Sequence, residues 1–136
     1  MPAPTPGVVR VKDGVQFTTI APAWFALLAA LTTAARLCRM DLTITSACDG
    51  AHSGPDDPHH RGEAYDVRTH DYSDAVTDAL LYHVLELLRP PGEAQATPVP
   101  GTPRSLALAQ WFGFIESPGT SNEHLHVQLR RGRVYP

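Results

Sequence analysis

Between residues 23 and 46 the apolar spacing changes from steps of three and four to steps of two, which confines the chain to a fold mixing helix with strand. Trp24, Leu27, Leu28, Leu31, Ala35 and Cys38 follow the first interval, placing one apolar face on a helix over about 23–39. Pro22 suits its first turn, where a missing N–H costs nothing. Leu42-Thr43-Ile44-Thr45-Ser46 then alternates and is β-branched, the pattern of a half-buried strand.

The same two periods recur downstream. Residues 62–68 alternate, with Ala64, Asp66 and Arg68 on one face and Glu63, Tyr65 and Val67 on the other. Asp71, Ser73 and Asp74 offer caps and negative charge for a helix running through Val76, Ala79, Leu80, Val84, Leu87 and Leu88. Pro90-Pro91 ends it. Strands are predicted at 111–116 and 124–129, separated by Ser117-Pro118-Gly119. At the N-terminus, Lys12-Asp13-Gly14 between β-branched runs predicts a hairpin over 8–20. Residues 92–103, rich in Pro, Gly, Ala and Thr, read as a mobile surface insertion, spanning about 90–104 at its widest. The summed pattern is α+β: one domain over 1–136, with a small antiparallel sheet and helices packed on one side.

Composition narrows the function classes. The 136 residues are 43% hydrophobic and 18% charged, which fits one compact core. A formal charge of -3 with no basic stripe gives no electrostatic case for nucleic acid. The run 21–37 is interrupted by Thr32, Thr33 and Arg36 and reads as a core helix, not a membrane span. The first residues, Met1-Pro2-Ala3-Pro4-Thr5-Pro6-Gly7, lack a positive region followed by an apolar run. Synthesis in the cytoplasm without a signal peptide is therefore expected; a monomer is expected as well. Cys38 and Cys48 fall at opposite ends of a strand region, on the order of 20 Å apart along the chain. Two unpaired thiols are expected.

Chemistry concentrates in two segments, His59-His60-Arg61-Gly62-Glu63-Ala64-Tyr65-Asp66 and Glu123-His124-Leu125-His126. Neutral imidazole and carboxylate are zinc ligands at about 2.0–2.2 Å, and three protein ligands leave a fourth position for water. His59, Asp66 and His126 fill those places, with one zinc ion expected. In the second segment His124, His126 and Gln128 share a strand face opposite Leu125, Val127 and Leu129. Glu123 is the carboxylate able to take a proton from activated water and deliver it to a leaving amine. Its direction is set by the loop that precedes the strand.

These residues resemble the M15-type zinc D-Ala-D-Ala peptidases, which have the Hedgehog/DD-peptidase fold. The first family motif, S-x-H-x-x-G-x-A-x-D, is met from His59 through Gly62 and Ala64 to Asp66, with Asp57 in place of the leading serine. The second, E-x-x-H, is met by Glu123 and His126. The segment 44–52 also looks like short phage-associated members. The resemblance implies zinc on His59, Asp66 and His126, with Glu123 as catalytic base. It also implies action on peptidoglycan stem peptides at the cell wall or as a virion or lysis component. The activity is then D,D-carboxypeptidase or L,D- or D,D-endopeptidase, by zinc-activated water.

One departure matters: many members carry an arginine after Ser-Gly-Tyr, where this chain has Asp49 after Ser46-Ala47-Cys48. Arg68, two residues from Asp66 on the same face, is the compensating cation or else a structural ion pair. His124 is a hydrogen-bond donor to a ligand or the transition state, or simply a polar strand position. Ser46, Asp49 and His52 line the substrate pocket or stabilise its loop. The rival to a peptidase is a non-catalytic metal-stabilised phage structural or wall-binding module.

Overall fold

The computed structural model describes residues 7–17, 20–47 and 62–130. In chain order its elements are β1 (Val9–Val11), α1 (Pro22–Cys38), β2 (Leu42–Ser46), β3 (Ala64–Arg68), α2 (Asp74–Leu88), β4 (Ser105–Ala107), β5 (Trp111–Glu116) and β6 (His124–Leu129). The strands form one six-stranded sheet in the order β1-β2-β3-β6-β5-β4. The class is α+β, as expected. The sheet is mixed, however, because β1 runs parallel to β2, with Val9 beside Leu42 and Val11 beside Ile44.

That parallel edge replaces the expected N-terminal hairpin. The turn itself forms, with the Val15 N–H donating to the Lys12 carbonyl at 3.2 Å. No strand follows it among the described residues. β1 is secured instead across the sheet: the Lys12 N–H donates to the Ile44 carbonyl at 2.9 Å. At its other end the Asp41 carboxylate accepts from the N–H groups of Gly7 and Val8 at 3.0 and 3.1 Å. These bonds hold the Asp41 carboxyl below the usual carboxylate range.

Both helices bury their apolar faces on the same side of the sheet. Leu27, Leu31, Ala34 and Ala35 of α1 meet Leu80, Val84 and Leu85 of α2 and the inward residues Ile44, Tyr65, Val67, Leu125 and Val127 in one core. Burying a leucine contributes about 1.5–3 kcal/mol. The Tyr65 hydroxyl donates to the Leu27 carbonyl at 3.2 Å, satisfying the one polar atom of that side chain. Gly113 of β5 lets α2 lie close, since a Cβ there would stand 2.8 Å from Leu81 Cδ1. Ser73 caps α2 by accepting from the Val76 N–H.

Helix α1 ends on Arg39, whose φ of 54° is left-handed. The Met40 N–H returns to the Ala35 carbonyl at 2.9 Å, closing the last turn in the manner usually left to glycine. The segment 90–104 has a defined course. Thr97 and Ala107 exchange both backbone hydrogen bonds, at 3.1 and 2.9 Å, and the Val99 N–H donates to Ser105 Oγ at 3.0 Å. A short strand that the sequence pattern did not reveal, β4, emerges directly from it.

Candidate metal and catalytic site

With both helices on one side, alternate residues of the central strands face away from the core. The register sets Asp66 beside His126, Arg68 beside His124 and Ala64 beside Gln128 between β3 and β6. Between β6 and β5 it sets His126 beside Phe114 and His124 beside Glu116. Polar chemistry therefore gathers on one strip of the open face. A bulge between Ile44 and Ser46 brings Ser46 opposite Asp66, the kind of local kink that re-aims side chains. Two residues before β3, Gly62 has a φ of 70°, a conformation that suits glycine.

A short contact on this strip joins two of the expected metal ligands. His126 Nδ1 donates to Asp66 Oδ1 at 2.9 Å, and His126 Nε2 lies 2.8 Å from Gln128 Oε1. His126 is a buried residue. Burial by itself would push its imidazolium to lower pKa. The hydrogen bond and charge of Asp66, with smaller help from Gln128 and Glu116, more than offset this and hold His126 above the ordinary histidine value. The Phe114 ring packs against the imidazole at a centroid distance of 5.6 Å.

This pair fits a zinc ion in chemistry and spacing. Two atoms bound to one tetrahedral zinc at about 2.0–2.2 Å stand roughly 3.3–3.5 Å apart, so Asp66 and His126 need open only by about half an ångström. Among the described residues no group of three metal-ligating side chains is assembled. The expected third ligand, His59, lies outside them, as do Asp49 and His52.

His124 has its Nδ1–H on the Asn122 carbonyl at 2.8 Å. Its Nε2 is thereby aimed across the sheet, 3.8 Å from Asp66 Oδ1 and 3.5 Å from Glu116 Oε1. Arg68 is exposed and lines a cavity of about 120 Å³ with Lys12, Thr45, His70, Glu123 and His124. At ~30 Å³ per water that is room for about four waters.

Glu123 is only 4% exposed, and both its oxygens are engaged. Thr69 Oγ1 donates to Oε2 at 2.8 Å and the Gly119 N–H to Oε1 at 3.0 Å. Arg104 Nη1 stands 3.7 Å from Oε1. The same guanidinium donates to Asp78 at 2.8 Å and to Thr77 Oγ1 at 2.6 Å, so Glu123 is turned toward the start of α2. Glu123 is among the residues lining the cavity, and the close contacts of its carboxylate are Thr69, Gly119 and Arg104.

The structure thus brings Asp66, His126 and His124 together, with Ser46 beside Asp66 in the ladder and Arg68 at the rim. Three participants carried too little sequence signal to be given roles: Gln128, Glu116 and Arg104. For Gln128 the signal was its parity with the histidines, and for Glu116 only the pairing register reveals it. Arg104 sits in the Pro/Gly-rich segment, where nothing in the sequence links it to Glu123. Among the described residues no helix is long and apolar enough to cross a membrane. Compared with family models, with curated proteins and with solved structures, the chain matches none.

Proposed function

We propose that the protein is a zinc-dependent metallopeptidase of the M15 type, with a Hedgehog/DD-peptidase-like fold, that hydrolyses peptide bonds of peptidoglycan stem peptides. The observation that carries this reading is the Asp66–His126 contact. Two residues 60 positions apart, each at a metal-ligand position of its motif, meet at 2.9 Å on neighbouring central strands. Asp66 and His126, joined by His59, would hold the ion. A bound zinc ion supplies a water of lowered pKa and polarises the scissile carbonyl.

The remaining roles belong to the chain's own side chains. Glu123 accepts a proton and returns it to the departing amine. Arg68 and His124 present cationic or N–H donors beside the pair, in place of the arginine for which this chain has Asp49. The test is zinc content together with amine release from muropeptides. Wild type is expected to bind one zinc and release amine, and His126→Ala to lose both.

One observation favours a second reading, a metal-stabilised module without catalysis: both Glu123 oxygens are already committed to structural donors. Zinc-loaded wild type that releases no amine from any muropeptide would establish that reading and end the peptidase proposal.

A further inference from the structure

We propose that Gln128 is a positioning residue: its side-chain oxygen takes the Nε2–H of His126, holding the ring so that Nδ1 is the nitrogen offered to the metal. The inference rests on the metallopeptidase reading for the identity of the ligand at Asp66 and His126, and it assigns a role to a residue outside both motifs.

The strand pleat supplies the geometry. Positions 126 and 128 share a face of β6 about 6.6 Å apart along the strand, a span that the Gln128 side chain closes to put Oε1 2.8 Å from the imidazole. Opposite Gln128 in the ladder stands Ala64, fully buried. Its single methyl leaves room for the amide beside it. Gln128 is itself 7% exposed, so water does not compete strongly for the bond.

The end of the amide that meets the ring sets the orientation. Among the described residues Gln128 Nε2 is buried without a hydrogen-bond partner. The amide carries one acceptor and one double donor, and it is the acceptor that faces the ring. An acceptor at Nε2 requires the ring to keep its proton there. Nδ1, which lies against Asp66, is then the nitrogen left to meet a metal. Were the amide reversed, its NH₂ would face Nε2, a neutral ring would carry its proton on Nδ1, and the nitrogen beside Asp66 would be blocked. Histidines that bind metals commonly donate their other ring N–H to such an oxygen, and loss of that partner typically costs 10–100-fold in metal affinity.

The experiment compares Gln128→Met, similar in length and without an acceptor, with Gln128→Glu, which restores one. Zinc affinity is measured by competition with a chromophoric chelator, and the thermal midpoint of each metal-free protein checks folding. Gln128→Met is expected to fold as wild type does and to bind zinc about 10–100-fold more weakly. Gln128→Glu is expected to return to within about threefold of wild type. A Met variant that binds zinc as tightly as wild type, or a Glu variant that fails to recover, overturns the assignment. Where wild type takes up no zinc, the metallopeptidase reading fails by itself. The His126 Nε2 proton in NMR spectra then still decides the contact: slow exchange in wild type and loss in Gln128→Met upholds it, and equal exchange in both overturns it.

Discussion

Replacing Glu123 with alanine removes a buried acceptor from three groups at once, and the structure sets the size of the effect. Thr69 Oγ1, fully buried with its residue, and the Gly119 N–H lose their partner. Arg104 is less affected, because it keeps Asp74, Asp78 and Thr77. Two hydrogen bonds to a charged acceptor are thus lost without a fully orphaned cation. The result should lie below the ~3–5 kcal/mol of a broken buried ion pair, at about 2–3 kcal/mol. With unfolding entropies near ~2.1 cal/mol/K per residue, a chain of 136 residues should melt about 7–10 °C lower. Thermal unfolding followed by circular dichroism in chelator measures this without involving the metal. A midpoint within about 2 °C of wild type would refute the view that Glu123 clasps the β5–β6 turn to Thr69. The consequence for function is practical. Activity lost in Glu123→Ala reports on catalysis only at temperatures well below that lowered midpoint, and Glu123→Gln, which keeps the shape, is the more informative variant.

Other expectations are equally concrete. Because the folded-state pKa of His126 is raised, its contribution to the stability of metal-free protein is full below the unfolded value near 6.5 and is lost as pH rises through the folded value. Asp66→Asn should flatten that part of the melting-temperature profile, and an unchanged profile would exclude the pair as its source. Gly113→Val should destabilise by about 1–3 kcal/mol, measured by urea unfolding, because its side chain would collide with Leu81 and Leu85 of α2. Arg68→Gln should leave zinc affinity unchanged while lowering hydrolysis about 100–1,000-fold. Equal rates would reduce Arg68 to surface charge.

The sequence carried most of this architecture because the longer elements have a clean period. The strand 42–46 and the strands 111–116 and 124–129 follow alternation residue for residue, since one face meets the helices and the other does not. β4 escaped because it is three residues long, too short to show a period, whereas the strand at β1 was anticipated but its partner was not. β1 takes its register from β2, and β4 from β5. At the site, alternation correctly put Asp66, His124 and His126 on the open face. It could not say where Glu123 would turn. That direction is fixed by Thr69 and Gly119, partners distant in sequence or contributed by a turn, whose positions only the assembled fold defines.

Strand β6 carries the histidines on one side and Leu125 and Val127, both fully buried, on the other. This makes the length of the loop ahead of it a parity switch. One residue inserted or deleted between Glu116 and His124, if absorbed by sliding the strand, would send imidazoles into the helix layer and leucines onto the open face. Two residues would restore the facing while shifting His126 along the strand away from Asp66. A change in the length of this loop is therefore expected to disturb the site more than the loop's exposure suggests.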